Sequence, residues 1–325
     1  MSLVRRDPPA GVVSPVWSRP LHLRSEVLAA AGGMVVVAER HTRLAGLDAE
    51  TGEQRWEQRV EDCWGSVALA ADRCLYLSQA GVLHCFTLGG RRLWAVPGLE
   101  RCHHLVVSGD VVFAGGWRGY RPLTRIALDD GSVLPALPDV GAIVRPVEVR
   151  PGAIVLGSAV RPVLLVVDGS GAVAGEWGLP EPVRSAFGAG AVFVCGDRTV
   201  LAFDPDDGVR EVWRHDRDLR PLPPVLDGGT LWLADEAGVA VAGSGRADRR
   251  AGVRDCALVA GEALVAFTDG ELGAVDRWGG VAVLSRGRRI DRLVPGTDGV
   301  VHAVGKGRLL TFRRRPSTSG SRPGW

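Results

Sequence analysis

The feature that most narrows what this chain can fold into is a period. A strand-end position, occupied by Asp48 in the stretch Leu44–Trp56 (LAGLDAETGEQRW), comes round again at Thr87, Asp129, Asp168, Asp204, near Ala242 and at Asp276, at intervals of 34 to 42 residues. That interval is too long for a leucine-rich or hexapeptide solenoid and fits a four-stranded propeller blade. Each repeat carries one order of signals: an apolar run, a Gly or Asp turn, a β-branched run, a loop, a third strand, a turn, and a last strand often carrying Trp. Repeat one reads EVLAA, GG, MVVVA, ERHT, RLAGLD, AETG, EQRWEQ, and repeat two SVALA, AD, RCLYLS, QAG, VLHCFT, LGG, RRLWAV. Repeats six and seven are more degenerate but keep the spacing. No helical periodicity is sustained, and no interval has room for a crossover helix.

From Arg292 the last repeat has three strand signals and no fourth, whereas VVSPVWSRPL (12–21) has strand signals, Trp17 and no repeat of its own. The expectation is therefore an all-β, eight-bladed β-propeller of four-stranded antiparallel blades, with residues 12–20 closing the ring by pairing with the C-terminal blade. Residues 12–312 form a single domain, between disordered tails at 1–11 and 313–325, the latter basic. Fourth-strand Trp residues stand at 17, 56, 94, 177 and 213. A Trp wedged between twisted sheets contributes about 2–3 kcal/mol by burial when its indole N–H finds a partner.

Composition enters as a set of exclusions. Among 325 residues, 46% hydrophobic content is ample for a core. The net charge of +2, from 39 basic and 37 acidic residues, is spread along the chain. It makes no field to gather phosphate backbones or anionic lipid, so neither nucleic acid nor a membrane is the expected partner. The apolar stretch 29–38 is too short and too Gly-broken to span a bilayer. The N-terminus lacks the apolar run of a secretory leader, which points to the cytoplasm. There the six cysteines are reduced, and Cys74, Cys85 and Cys195, in apolar strands, read as small core residues. A monomer is expected.

Leu47-Asp48-Ala49-Glu50-Thr51-Gly52-Glu53-Gln54-Arg55-Trp56 resembles the pyrroloquinoline-quinone-like repeat: an apolar strand ending in Leu-Asp, a Thr-Gly turn, and a Trp a few residues on. Asp204 to Trp213 matches in part, and Asp168 to Trp177 and Thr87 to Trp94 less fully. The resemblance implies a propeller with Trp residues docked between neighbouring blades. It does not bring the cofactor, because the quinone dehydrogenases of this fold use a vicinal Cys pair and Glu, Asn and Asp around Ca²⁺, and this sequence has no adjacent Cys pair and no Asn. No cofactor and no metal is expected. The fold's other users include lipoprotein scaffolds of outer-membrane assembly and sensor domains of bacterial Ser/Thr kinases. The sequence shows neither a lipidated leader nor a kinase domain, so a stand-alone cytoplasmic member is expected.

In a propeller the loops entering each blade share a face with the loops between second and third strands. Aligning the first strands places Glu26, Ser66, His103 or His104, Arg145, Arg184, Pro223, Asp255 or Cys256, and Asp291 or Arg292 near that mouth. The longest second-to-third-strand loop, in repeat three, adds Trp117, Arg118 and Tyr120, residue types enriched at interface hot spots. The expected ligand-binding set is therefore His103, His104, Arg145, Arg184, Asp291, Arg292, Trp117, Arg118 and Tyr120. Metal binding by Cys63, Cys102 and His104 matches no local ligand spacing. Paired carboxylates such as Asp129-Asp130 and Asp206-Asp207 are explained by turns. The expected function is a non-catalytic binding or scaffolding module for a protein or small-molecule ligand. The alternative is a cyclase, isomerase or lyase at the same mouth, with His103, His104 or Asp255 as the acid–base group and Arg145 or Arg184 holding an anion. A quinone-dependent dehydrogenase is the third reading.

Overall fold

Short β-branched runs bounded by Gly and Asp turns make strands, and all regular structure in the described residues is strand. The computed structural model describes residues 15–314 except 22–26, 40–41, 61–65, 71, 101–103, 116–122, 138–140, 189–191, 221–224, 228–229, 236–237, 242–246, 249–251, 260–261, 276–280, 288 and 306. The tails expected at 1–11 and 313–325 lie outside the described residues, apart from Arg313 and Arg314. The chain divides into two units, Leu21–Pro224 and Val225–Trp325 with Met1–Pro20. Strand β1 (Trp17–Pro20) belongs to the latter.

In Leu21–Pro224, repeat one forms an antiparallel sheet of β2 (Val27–Ala31), β3 (Met34–Glu39), β4 (Arg43–Asp48) and β5 (Gln54–Arg59). Repeat two forms a second from β6 (Ser66–Ala70), β7 (Arg73–Leu77), β8 (Leu83–Thr87) and β9 (Arg92–Val96). Repeat three supplies β10 (His104–Ser108), β11 (Val111–Gly115) and β12 (Thr124–Ala127). Repeat four follows with β13 (Val147–Arg150), β14 (Ala153–Gly157), β15 (Val163–Asp168) and β16 (Val173–Gly178). Repeat five has β17 (Ser185–Gly188), β18 (Val192–Cys195), β19 (Thr199–Asp204) and β20 (Gly208–Arg214). The first strands β2, β6, β10, β13 and β17 neighbour one another in that order. The middle strands β3, β14 and β18 are buried at every position, so both faces of each sheet meet apolar neighbours. Met34, Val36, Ala38 and Leu44 of repeat one pack with Cys74, Tyr76 and Phe86 of repeat two in one such layer.

Backbone bonds separate the two ends of these sheets. At one end the turns are tied together, Ala49 N to Gly33 O, Leu88 N to Asp72 O and Leu128 N to Asp110 O, each at 2.9 to 3.1 Å. At the other, the entrance loop of one repeat is tied to the second-to-third-strand loop of the repeat before it, Leu99 N to Gly81 O at 2.8 Å and Val183 N to Ser158 O at 2.9 Å.

Three of the five expected Trp wedges, Trp56, Trp94 and Trp177, are seen docked on the next repeat. Trp56 donates Nε1–H to Leu88 O at 2.6 Å, and Trp94 donates to Leu128 O at 3.1 Å. Each acceptor lies in the third-to-fourth-strand turn of the next repeat. The rings cover glycines of those turns: a Cβ on Gly90 (φ 85°) would come within 2.6 Å of Trp56, and one on Gly131 (φ 77°) within 2.8 Å of Trp94. Only glycine tolerates both the positive φ and the ring. Trp177 packs edge-on against Phe203 of repeat five, centroids 4.9 Å apart.

Repeat three overturns the expected count of eight four-stranded blades. Among the described residues seven sheets have four strands, and the sheet of β10, β11 and β12 stops at three. Where a fourth strand would run, a single bridge joins Ile126 and Val133, flanked by Ala127 N to Ser132 O and Leu134 N to Arg125 O, both 2.9 Å. Past Leu134 the pairing stops, at Pro135. The strand-end position of this repeat is also Ala127, not Asp129, because Ala127 N bonds across the turn to Ser132 O as Thr87 N does to Arg91 O.

With no fourth-strand Trp, Arg125 takes over the joint. In the strand register Arg125 corresponds to Gly46, which lies opposite Trp56, and to Cys85, which lies opposite Trp94. The Arg125 side chain is buried, donating through Nη2 to Gly169 O of repeat four and through Nη1 to Pro135 O at 3.1 Å. Gly169 O is the counterpart of Leu88 O and Leu128 O. Arg125→Met keeps the aliphatic stem and orphans both carbonyls, so urea denaturation should show a loss of about 2–4 kcal/mol, well beyond that of the exposed Arg92→Met.

The second unit holds three sheets. The first is β21 (Val225–Asp227), β22 (Thr230–Asp235), β23 (Gly238–Val241) and the two-residue β24 (Ala247–Asp248). The next is β25 (Val253–Val259), β26 (Glu262–Phe267), β27 (Leu272–Val275) and β28 (Val281–Ser285). In the last, β29 (Arg292–Pro295), β30 (Val300–Gly305) and β31 (Arg308–Arg313) are completed by β1, with Trp17 opposite Thr311 and Thr311 opposite His302. His302 is fully buried, its Nδ1 lies 2.8 Å from Thr311 Oγ1, and the Trp17 ring sits 6.0 Å away. Desolvation pulls its pKa down to about 4, from 6.5. The folded state thus holds it neutral, and the stability it contributes is complete above pH 6.5 and drains away as the pH falls toward 4. Unfolding free energies measured across that window should drop by up to about 3 kcal/mol on this account, and His302→Leu should flatten the slope.

Candidate functional site

The proposed mouth residues divide between the two units: His104, Arg145 and Arg184 in one, Asp255, Asp291 and Arg292 in the other. His103, Trp117, Arg118 and Tyr120 lie outside the described residues, as do Glu26, Cys63, Trp64, Cys102 and Pro223.

His104 opens β10 and is 9% exposed, with Nε2 3.2 Å from the Ile143 carbonyl in the entrance loop of repeat four. A carbonyl can only accept, so this bond keeps the proton on Nε2. The imidazole joins two neighbouring repeats and does not offer that nitrogen as a base. Arg145, two residues beyond Ile143, is exposed.

Arg184 is exposed as well, but its fork is occupied. Nε and Nη2 donate to the two oxygens of Asp197, at 2.7 and 3.1 Å. That bidentate bond raises the pKa of the arginine and lowers that of the carboxylate. Next to it Arg198 reaches Asp218 at 3.0 Å, and Glu181 Oε1 accepts the Thr199 N–H at 3.0 Å and the Thr199 hydroxyl. These groups brace the loop 196–198 across repeat five. Sequence alignment sees Arg184 as a free cation because its partner lies thirteen residues away, in another loop.

Asp255 on β25 is a clip between first strands. Its Oδ2 accepts the Leu293 N–H of β29 at 2.7 Å, and its Oδ1 accepts the Cys256 N–H at 2.9 Å. Burial raises its pKa, against which the two N–H bonds and the Arg292 charge pull down. Asp291 takes Arg289 Nε at 2.7 Å and Arg254 Nη1 at 3.2 Å, and Arg292 is exposed. Cys74, Cys195 and Cys256 are buried thiols pushed up to about 12, and Cys85 to about 11, chiefly by desolvation. Thiols so raised are not free nucleophiles at neutral pH. Among the described residues no group of three or more His, Cys, Asp and Glu is placed to hold a metal ion.

The structural contacts that sequence reading misses are Arg125 and the pair Ser108–Glu148. Ser108 Oγ donates to Glu148 Oε1 at 2.9 Å and accepts the Gly152 N–H at 3.0 Å, tying β10 to the repeat-four hairpin. The only sequence signal for Arg125 is its register position, where repeats one and two have Gly46 and Cys85.

Against known proteins, a PQQ-like repeat family model, described as outer membrane protein assembly factor BamB, matches residues 6–136, less than half of the chain. Among solved structures, BamB from Moraxella catarrhalis is 15% identical with a TM-score of 0.75, over 96% of this chain and 99% of that one. The computationally designed Ika8 protein is 14% identical with a TM-score of 0.68, over 92% and 100%. The C-terminal WD40 domain of Sif2 is 10% identical with a TM-score of 0.74, over 93% and 98%. No curated protein matches. The likeness shows the fold, a β-propeller of antiparallel blades shared with BamB and with WD40 domains, and the PQQ-like repeat match is confined to residues 6–136.

If Asp255 is a clip, Asp255→Asn should replace one acceptor by an NH₂ group and leave a backbone N–H without its bond. Thermal and urea denaturation should register a loss of about 1–3 kcal/mol. Arg184→Ala, which removes only an exposed pair, should cost less than about 1 kcal/mol.

Proposed function

We propose that this propeller is a non-catalytic scaffold that binds a protein partner through the end of its sheets carrying the entrance loops, as a cytoplasmic monomer. The observation that carries this reading is the engagement of the described acid–base candidates, His104 and Asp255, and of the anion-holding candidate Arg184. His104 is bonded to Ile143 O, Asp255 to two backbone N–H groups and Arg184 to Asp197. A general base must reach the proton it removes, and these groups are turned toward structural partners instead. Support comes also from the matched family model, which is named for an assembly factor.

Strand-borne loops suit such work, because a rigid framework positions side chains without ordering them on binding. The test is capture from native lysate, purification of the captured protein, and gel filtration of the reconstituted mixture. A co-eluting complex with wild-type protein, lost with Trp117→Ala/Tyr120→Ala while the melting temperature holds, is the expected result. Purified candidates that never co-elute, or that co-elute equally with the double variant, would overturn the reading.

A further inference from the structure

Repeat four carries two loops of the same local sequence, Val144-Arg145-Pro146 at its entrance and Val160-Arg161-Pro162 between its second and third strands. The two run antiparallel and are joined along the backbone. Ile143 and Ser158 form a bridge, Val144 N donates to Gly157 O at 3.0 Å, and Ala159 N donates to Ala142 O at 2.9 Å. At the tip Val160 is 64% exposed, the most exposed of the large apolar side chains in the described residues. Buried apolar area is what stabilises such a side chain, and here most of it stays in water.

This exposure is not looseness. The buried Ser158 hydroxyl accepts the Arg161 N–H at 3.1 Å and the Val160 N–H at 3.4 Å. Val163 N donates back to Arg161 O at 2.8 Å, Leu179 N caps Pro162 O at 2.8 Å, and Val183 N holds Ser158 O at 2.9 Å. A valine and an arginine are thus presented side by side on a braced loop.

The loop 158–162 carries a single charge, that of Arg161. The carboxylate of the loop bonded to it, Glu181, is taken by Thr199. Several arginines at this end of the unit have carboxylates, Asp197 for Arg184, Asp218 for Arg198, and Glu39 and Glu57 for Arg43. Arg161 is exposed and has no ion-pair partner among the described residues. The carboxylate of repeat four's first strand, Glu148, is bonded to Ser108.

We propose that Val160 and Arg161 form the contact tip for an acidic protein segment carrying an apolar residue next to a carboxylate. This rests on the scaffold reading above and names the chemistry of its partner. An apolar anchor beside an unpaired guanidinium is the composition of an interface hot spot, and a braced loop loses little freedom on binding. A protein segment is favoured over a polyphosphate because the tip has one apolar contact among few cations, whereas nucleic acid is held by many phosphate contacts.

The test uses the full chain and a fluorescein-labelled peptide in which Leu alternates with Asp and Glu. Fluorescence anisotropy should show saturable binding that weakens with salt, by about tenfold or more for Arg161→Glu and for Val160→Asp, a loss of roughly 1.4 kcal/mol or more. Arg92→Glu, exposed at the opposite end of repeat two, should bind as wild type does. The same peptide with Lys in place of its acids should not bind. Failure of the acidic peptide to bind, indifference to Arg161→Glu, or equal binding to a single-stranded oligonucleotide or to phosphatidylglycerol vesicles would overturn the proposal. The outcomes separate from those of the scaffold reading. A reconstituted complex lost in Trp117→Ala/Tyr120→Ala yet untouched by Arg161→Glu sinks the tip alone, and the absence of any complex sinks both.

Discussion

Within the unit Leu21–Pro224, the recurring joint is one donor from a fourth strand, or its substitute, reaching a carbonyl in the next repeat's turn. Sheets twist, so neighbouring faces diverge toward their outer edges and leave a gap. An indole fills that gap with apolar area and still satisfies a turn carbonyl that packing would otherwise bury without a partner. The glycines beneath Trp56 and Trp94 follow from it, since nothing larger fits under the ring. The repeat motif is therefore a description of the joint, with the Asp forming the turn, the Gly clearing the space and the Trp of the preceding repeat closing it. Asp48 shows the turn's share: its Oδ1 accepts the Glu50 and Thr51 N–H groups at 2.8 and 2.9 Å, and those bonds with Arg55 hold its pKa down at about 2.

Repeat three shows that the joint matters more than the residue that makes it. It has lost the Trp and the fourth strand together, and Arg125 reaches the equivalent carbonyl from the third strand. A guanidinium is flat, weakly hydrated and rich in donors, which suits it to an indole's place. Arg125 sits where repeats one and two require small residues under the ring, so Arg there is compatible only with absence of the Trp. The two changes are a single solution.

The period, the strand order and the Trp wedges were legible because they are local: a Gly-Asp turn and a β-branched run determine their own conformations. The completeness of repeat three was not, because SVLPAL has strand character along the chain, and only its pairing shows that the ladder stops at Pro135. The candidate site was least legible. His104 begins β10, Arg184 precedes β17 and Asp255 is the third residue of β25, so their places near the starts of first strands follow from the repeat. Their partners, Ile143 O, Asp197 and Leu293 N, come from other strands and loops, so their engagement could not be read along the chain. Arg161, which has no ion-pair partner among the described residues, sits in a loop that no alignment of first strands would visit.

The bridge at Val133 also bears on how the molecule behaves in a crowd. Because the bonds to β12 are made by its neighbours Ser132 and Leu134, Val133 turns its own N–H and C=O away from the sheet. An open edge of this kind is where a foreign strand docks and aggregation begins. Here Pro135 stands two residues on, where the ladder would next need an outward donor, so an incoming strand could pair at one residue and go no further. The proline at which the last segment of repeat three leaves its sheet is also what keeps the unfinished edge from recruiting another strand.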